Sequence, residues 1–222
     1  MDKYFNNKII WITGASSGIG EALALELSRR GAKLILSSRR IAELERVKNN
    51  CAHPDLVQIL PLDLTDSANL RAKVPGAIAL FGHIDIMVHN GGISQRALVA
   101  ETSIAVHREV MELNYFSYII LTKALLPHFM ERGSGYFVVT SSVMGKIGTP
   151  MRAAYAAAKH ALHGYFDCLR AEVGQYGIKV TILTPGYIHT PISVIAGDGS
   201  FLSSNLNRSM VDYQLIKPPN KL

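Results

Sequence analysis

Short apolar runs alternate with amphipathic helical stretches along almost the whole chain, and this alternation constrains the fold more than any other feature. Six strands are predicted, over Lys8–Thr13, Lys33–Ser37, Leu56–Leu60, Ile84–His89, Gly135–Thr140 and Ile178–Leu183. Helices are predicted between them, over Gly18–Arg30, Ile41–Asn49, Asp66–Phe81, Thr102–Glu131 and Met151–Tyr176. Strands that are apolar throughout are typical of parallel sheets covered by helices on both faces. The chain is therefore predicted to form a single α/β domain, a doubly wound parallel sheet in three αβα layers.

The alternation ends near residue 191, and the rest of the chain is rich in glycine, serine and asparagine. We expect residues 1–191 to form the main body of the domain, and residues 192–222 to be a lid and a short C-terminal tail of the same domain. Residues 193–207 combine a few apolar anchors with small polar residues. Such a segment is predicted to be mobile alone and to order when a ligand binds.

Composition and charge narrow the class of protein. With 48% hydrophobic and 18% charged residues among 222, the chain is typical of a soluble globular protein. The net charge of +6 is scattered in short pairs, which favours an enzyme with an anionic ligand over a nucleic-acid-binding protein. Two cysteines, no signal peptide and no apolar run of membrane length predict a cytoplasmic protein without a membrane anchor. The eight histidines show no spacing of metal ligands, so no metal site is expected.

A glycine-rich turn, Thr13–Gly20, joins the first predicted strand to the first predicted helix. Glycines at this place let the backbone turn tightly and approach a pyrophosphate without a Cβ in the way. The helix that follows offers free N–H groups and the positive end of its dipole. The turn therefore predicts dinucleotide binding, although its glycine spacing is GxxxGxG and not the GxGxxG of the usual dinucleotide-binding fingerprint. The contacts are expected from Gly14, Ser16, Ser17, Gly18, Ile19 and Gly20.

The end of the second predicted strand bears on which dinucleotide is bound. An acidic residue there binds the ribose 2′-hydroxyl of NAD, whereas an arginine accepts the 2′-phosphate of NADP. This chain has neutral Ser38 followed by Arg39 and Arg40, so NADP(H) is predicted and NAD is the less favoured cofactor. Arg39 is the first candidate for the 2′-phosphate and Arg40 the second. The alternative is that both arginines only solvate the start of the next helix.

Four polar residues suggest acid–base chemistry near this turn. Tyr155 and Lys159 are four residues apart on one face of a predicted helix, where a cation close to a phenol lowers its pKa. Ser142 ends the fifth predicted strand, at the edge of the sheet where ligands bind in such folds. Asn114 interrupts a long helical pattern, which suggests a local kink or a retained water.

These motifs and two others follow one another in a characteristic order: Thr13–Gly20, Asn90-Gly91-Gly92, Asn114, Ser142, Tyr155–Lys159 and Pro185-Gly186. In order and spacing they resemble the short-chain dehydrogenase/reductase family over about residues 8–191. The stretch from Ser38 to Lys48 also looks like the branch named dehydrogenase/reductase member 7. The resemblance implies a Rossmann-type fold.

The resemblance also implies roles for the candidate residues. Tyr155 would exchange a proton with the substrate oxygen, and Lys159 would lower its pKa and bind the nicotinamide ribose. Ser142 would orient the carbonyl, and Asn114 would hold a relay water. Asp63 looks like the residue that contacts adenine. Further cofactor contacts are expected from Leu64, Asn90, Gly91, Pro185, Gly186, Ile188 and Thr190.

The predicted function is NADP(H)-dependent hydride transfer with a carbonyl or secondary alcohol. Met144, Ile147 and Tyr187 suggest a lipophilic substrate, and the resemblance implies a homodimer or homotetramer. A dinucleotide-binding sensor and an epimerase on the same fold remain alternatives.

Two departures from the family stand out. The chain has Asn90-Gly91-Gly92 where Asn-Ala-Gly is usual, and only a short tail follows Pro185 where a seventh strand and a further helix are usual. The chain is thus expected to be either truncated or naturally short. The predicted strand Ile178–Leu183 would then form an exposed edge of the sheet.

Overall fold

A computed structural model describes residues 4–202 of the chain, and within them six strands form one parallel sheet. In chain order the strands are β1 (Ile9–Thr13), β2 (Lys33–Ser37), β3 (Val57–Ile59), β4 (Ile86–His89), β5 (Ser94–Gln95), β6 (Gly135–Thr140), β7 (Ile178–Leu183) and β8 (Val194–Ile195). The order across the large sheet is β3-β2-β1-β4-β6-β7. The strands β2 and β3 are thus added on one side of β1, and β4, β6 and β7 on the other side. A crevice opens between β1 and β4, at the carboxyl ends of the strands, where this order reverses.

Helices cover both faces of the sheet. They are α1 (Gly18–Arg29), α2 (Ile41–Asn49), α3 (Ser67–Ala79), α4 (Ile104–Met111), α5 (Ser117–Arg132) and α6 (Ala153–Val173). Alternate residues of β1 enter opposite layers: Ile10 packs in a cluster with Ala24 of α1, and Trp11 packs in another with Leu121 of α5. The doubly wound, three-layer prediction is confirmed, because a buried parallel strand supplies apolar side chains to both of its faces.

The helix predicted over Thr102–Glu131 is interrupted. Helix α4 ends at Met111, residues Glu112–Phe116 form a π-helical segment, and α5 begins at Ser117. Such segments are rare single-turn insertions that are frequent at functional sites. The irregularity expected at Asn114 therefore takes the form of a π-helical turn, and the prediction of one uninterrupted helix was wrong.

A second, two-stranded sheet lies beside the crevice and consists of β5 and β8. Val194 and Ile195 are buried, and backbone hydrogen bonds join Ser94 N to Ser193 O at 2.8 Å and Arg96 N to Ile195 O at 2.9 Å. The part of the predicted lid that the structure describes, residues 193–202, is therefore tied to the body by strand pairing. The remaining residues of that predicted lid, 203–207, lie outside the described residues.

The bounds of several other elements differ from expectation by one to three residues, and two of them illustrate the cause. The third strand is shorter than predicted, because residues Pro54–Leu56 form a 3-10 turn before it. The last helix ends at Val173, and a 3-10 turn over Gly174–Tyr176 follows it. Both differences lie at the end of a strand or helix, where regular hydrogen bonding gives way to local turns.

Among residues 4–202, none of the helices combines the length and the apolar character needed to cross a membrane.

Candidate active site

A cavity of about 400 Å³ occupies the crevice at the carboxyl ends of β1, β4 and β6. Its walls contain nearly all the residues predicted for the site, although these are distant in sequence. The predicted residues on its walls are Gly14, Ser16, Ser17, Gly18, Ile19, Ser38, Arg39, Arg40, Asp63, Leu64, Asn90, Gly91, Ser142, Tyr155, Lys159, Pro185, Gly186, Ile188 and Thr190. Gly20 and Asn114 are predicted site residues that do not line it.

The glycine-rich turn forms a cradle of bare backbone. Gly14 and Gly18 have φ of 66° and 58°, in the left-handed region that favours glycine. A Cβ on Gly14 would lie 2.5 Å from Gly91 Cα, and one on Gly20 would lie 2.3 Å from Gly14 O. Gly20 thus serves the close packing of helix α1 on the turn rather than the cavity wall. The cradle leaves the start of α1 open, as a pyrophosphate requires.

Asn90 fixes the turn to the neighbouring strands. Its Nδ2 donates to Thr13 O at 3.2 Å, and its Oδ1 accepts from Thr140 Oγ1 at 3.3 Å. The next residue, Gly91, accepts a hydrogen bond from the Tyr118 hydroxyl at 2.9 Å. Asn90 therefore joins the carboxyl ends of β1, β4 and β6.

The two arginines after β2 differ in their contacts. Arg40 Nη2 donates to Ser16 Oγ at 3.0 Å and to Ser17 Oγ at 2.9 Å, so this guanidinium lies against the glycine-rich turn. Its backbone N–H donates to Ser38 Oγ at 3.1 Å. Arg39 is exposed on the cavity wall and makes no hydrogen bond or ion pair with any of the residues from 4 to 202. The structure thus brings two guanidinium groups to the place where a 2′-phosphate is expected.

Tyr155 and Ser142 meet on the cavity wall. Ser142 follows β6 in extended backbone and accepts a hydrogen bond from Met144 N at 3.1 Å, so its side chain is held at the start of a 3-10 turn. Its hydroxyl lies near the Tyr155 phenol on the same wall. Burial raises the pKa of the Tyr155 phenol, while interaction with the Ser142 hydroxyl and the charge of Arg152 lower it. The net pKa is raised, whereas the sequence analysis expected it to be lowered.

Lys159 lies one turn after Tyr155 and is buried, with 3% of its surface exposed. Its Nζ donates to Thr140 O at 2.7 Å and lies 5.7 Å from the centroids of the Tyr155 and Tyr118 rings. Burial lowers the pKa of Lys159 to about 7, because a low-dielectric surrounding disfavours the ammonium form. The helical spacing has brought the two side chains together as predicted.

Asn114 lies behind the cavity, in the π-helical segment. Its Oδ1 accepts from Ile93 N at 2.9 Å, and its Nδ2 donates to Ile93 O at 2.8 Å. A Cβ on Gly92 would lie 3.0 Å from Asn114 Oδ1, so Gly92 permits this close approach. The side-chain amide thus holds the chain between β4 and β5.

Several of the other cofactor candidates lie at the outer parts of the crevice. Asp63 accepts hydrogen bonds from Thr65 N at 2.9 Å and Thr65 Oγ1 at 2.8 Å, which fix the turn after β3. Thr190 faces Gly18 across the mouth: a Cβ on that glycine would lie 3.0 Å from Thr190 Cβ. Tyr187 and Ile188 are largely exposed there.

One polar residue of the cavity wall, Arg152, was not among the residues that the sequence suggested. Arg152 and Ser94 line the cavity, and Arg152 Nη1 donates to Ser94 Oγ at 2.6 Å and to Gln95 O at 3.0 Å. The available signal was the position of Arg152 three residues before Tyr155, which places both on one helix face. Ile147, which was expected in the pocket, is 58% exposed and off the cavity wall.

The residues of the crevice fit a nicotinamide dinucleotide. The glycine-rich turn presents bare backbone at Gly14 and Gly18 on the cavity wall, which allows the close approach of a pyrophosphate. Ser38, Arg39, Arg40 and Asp63 would hold the adenosine half. The nicotinamide half would then lie beside Tyr155 and Lys159.

Comparison with known proteins places these features in one family. A family model described as short chain dehydrogenase matches residues 8–198. Dehydrogenase/reductase SDR family member 7 from Homo sapiens is 46% identical over 190 residues, which cover 83% of this chain and 56% of that protein. The chain spans 56–66% of the length of the curated relatives that it matches.

Two solved structures share the fold. A short-chain dehydrogenase from Streptomyces avermitilis has a TM-score of 0.81 and 34% identity, covering 86% of this chain and 72% of that chain. ElxO with NADP bound has a TM-score of 0.79 and 28% identity, covering 83% and 75%. Since the family model matches most of the sequence and the structural neighbours share the sheet and its helices, the chain belongs to the short-chain dehydrogenase family.

Proposed function

We propose that the chain is an NADP(H)-dependent oxidoreductase that interconverts a carbonyl and a secondary alcohol. One observation carries this proposal: Tyr155, Ser142 and Lys159 face the same crevice as the glycine-rich turn. A nicotinamide dinucleotide bound there would supply or accept a hydride. An acid–base tyrosine beside such a cradle is what reduction of a carbonyl requires, since the oxygen gains a proton as the carbon gains a hydride.

In this proposal the chain's own residues handle the substrate oxygen and its proton. The Ser142 hydroxyl donates to the carbonyl oxygen and orients it towards Tyr155. The Tyr155 hydroxyl gives that oxygen its proton in reduction and takes it back in oxidation. Lys159, when protonated, stabilises the tyrosinate left behind. Because the pKa of Lys159 is about 7, its ammonium group can lose and regain a proton near neutral pH. Asn114 ties the π segment to Ile93 behind the cavity, where a relay water would bind.

The preference for NADP(H) rests on charge at the adenosine end. Arg39 and Arg40 line the cavity after Ser38, and β2 ends without an acidic residue that would repel a 2′-phosphate. The structural neighbour ElxO was solved with NADP bound, which supports the same choice. Arg39 is the first candidate for the 2′-phosphate because no other described residue holds its guanidinium.

The substrate is proposed to be a lipophilic carbonyl or alcohol with a polar group near Tyr155. Met144 and Tyr187 give the wall apolar surface, whereas Arg152 and Ser94 add hydrogen-bonding groups to it. A homodimer or homotetramer in the cytoplasm remains our expectation for its assembly and location.

A panel of carbonyl compounds tests the proposal. The purified chain is mixed with NADPH or NADH and a set of ketones and aldehydes, and the loss of reduced-cofactor absorbance is recorded. We expect turnover of an apolar ketone with NADPH and slower turnover with NADH. Tight cofactor binding without turnover of any member would favour a dinucleotide sensor instead. Inversion of a stereocentre without net consumption of cofactor would favour an epimerase.

A further inference from the structure

The helix that borders the cofactor cradle carries a negative charge in its first turn. Glu21 directly follows Gly20 on α1, and 23% of its side chain is exposed. A carboxylate at a helix N-terminus is favourable for the helix itself. Here the same helix end faces the place where cofactor phosphates are expected. An unpaired Glu21 would therefore act against the binding of an anionic cofactor.

Arg46 of α2 holds this carboxylate. Its Nη1 donates to Glu21 Oε1 at 2.7 Å and its Nη2 to Glu21 Oε2 at 3.0 Å, the two-pronged geometry of a strong ion pair. Its Nε donates to Glu43 Oε2 at 2.8 Å, and its Nη2 also reaches Ser16 O at 3.4 Å. All three nitrogens of the guanidinium are thus engaged, and the side chain links α2, α1 and the glycine-rich turn.

A second arginine lies near the same carboxylate. Arg40 is close enough to Glu21 for its charge to lower the pKa of that carboxyl, although the hydrogen bond from Arg46 has the largest effect. Arg40 itself donates to Ser16 and Ser17 on the cradle. In the absence of Arg46, Arg40 would be free to pair with Glu21, and such a pair would draw Arg40 away from the two serines.

We propose that Arg46 is a positioning residue for cofactor choice. It holds Glu21 in a two-pronged pair, and this leaves Arg40 on the cradle and keeps an uncompensated carboxylate away from the 2′-phosphate. Arg46 lies off the cavity wall, so it acts through Glu21 and the Ser16 carbonyl, which it holds directly, and through Arg40. The inference rests on the proposed preference for NADP(H), and it assigns part of that preference to a residue that touches no cofactor atom.

The test compares dissociation constants of NADPH and NADH for the full chain, measured by fluorescence titration. For Arg46→Gln we expect the NADPH constant to rise about fivefold, the scale of a partly exposed ion pair, and the NADH constant to change less than about twofold. The double variant Glu21→Gln/Arg46→Gln should recover most of the NADPH affinity, because no carboxylate then competes for Arg40. Arg30→Gln is the matched control, since it removes an exposed arginine–glutamate pair on α1 with Glu26.

Each other outcome overturns the inference. An unchanged ratio of the two constants in Arg46→Gln, with the wild type still preferring NADPH, refutes this inference alone. Equal weakening of both cofactors without recovery in the double variant would mean that Arg46 only holds the fold of the turn, which also refutes it. Equal binding of NADPH and NADH by the wild type would refute the proposed cofactor preference and this inference with it.

Discussion

Tyr155 is the side chain on which the proposed chemistry depends most. Removal of its hydroxyl in Tyr155→Phe keeps the ring that packs near Lys159 but removes the acid. We expect kcat to fall at least about a hundredfold, the ordinary scale of general acid catalysis, while the NADPH dissociation constant changes little. Steady-state rates and a fluorescence titration measure the two quantities. Tyr176→Phe, on an exposed tyrosine after α6, is the control. A Tyr155→Phe variant with most of its activity would show the assigned acid to be wrong.

Arg39 is expected to read the 2′-phosphate directly. Arg39→Ala should raise the NADPH dissociation constant about tenfold, the scale of a lost hydrogen bond to a charged group, and leave NADH nearly unchanged. Arg40→Ala is the comparison, because Arg40 is already bonded to Ser16 and Ser17. If Arg39→Ala weakened both cofactors equally, Arg40 would become the residue that reads the phosphate.

At the scale of elements, the segment after the Pro185-Gly186 motif divides into two parts. Residues Tyr187 and Ile188 are largely exposed, whereas Val194 and Ile195 are buried in the small sheet with β5. The strand pairing brings the main chain of residues 193–195 against that of 94–96. We therefore expect the moving part of the lid to lie before residue 193.

Hydrogen exchange with and without NADP tests this division. The Arg96 and Leu202 amides, which bond to Ile195 O and Val194 O, should exchange slowly in both states. The amides of Tyr187 and Ile188 should exchange fast without cofactor and slow down with it. Fast exchange at Arg96 and Leu202 in the free protein would instead support a mobile segment that begins at residue 193, as the sequence alone had suggested.

At the scale of the whole molecule, the core contains a buried histidine that is expected to make the stability of the fold depend on pH. His89 ends β4, is fully buried, stacks on Tyr118 with ring centroids 4.9 Å apart, and shares a 2.8 Å hydrogen bond with Thr122 Oγ1. Burial lowers the pKa of His89 to about 3. The unfolded chain then binds a proton near pH 6.5 that the folded chain does not, so stability falls as pH drops from about 6.5 towards 3.

The stability contribution of His89 can be isolated by substitution. His89→Leu should lose this part of the acid dependence: between about pH 7 and pH 5 its free energy of unfolding should fall by about 2 kcal/mol less than that of the wild type. Urea denaturation at the two pH values measures the difference, and His53→Gln, on an exposed histidine, is the control. Equal falls for the wild type and His89→Leu would show that His89 is protonated in the folded core.

The sheet edge is also a property of the whole molecule. Within the part of the chain that the structure describes, β7 is the outermost strand next to β6. Lys179 is exposed on it, and an edge lysine is one means by which proteins discourage pairing with other sheets.

Periodicity and motif spacing predicted the architecture and most of the crevice. Continuous apolar runs such as Ile9–Ile12, alternating with helical stretches, are typical of parallel strands covered on both faces, so the three layers followed from the sequence. The glycine-rich turn, Tyr155 and Lys159 were recognisable because each depends on local geometry, a tight turn or one face of a helix. These features are properties of short stretches, and the sequence alone determined them.

Contacts between distant stretches were decided only by the tertiary structure. The Asn114 amide in the π segment pairs with both backbone groups of Ile93, a contact that helical periodicity does not reveal. Ser94 and Gln95 accept hydrogen bonds from Arg152 on the cavity wall, and Arg46 holds Glu21 from a different helix. The pKa of Tyr155 is raised because burial, a property of the whole packed core, outweighs the polar neighbours that the sequence displays. Local patterns thus determined the fold and the candidate residues for the chemistry. The folded chain decided the surroundings of those residues, since burial and long-range hydrogen bonds exist only once distant segments pack together.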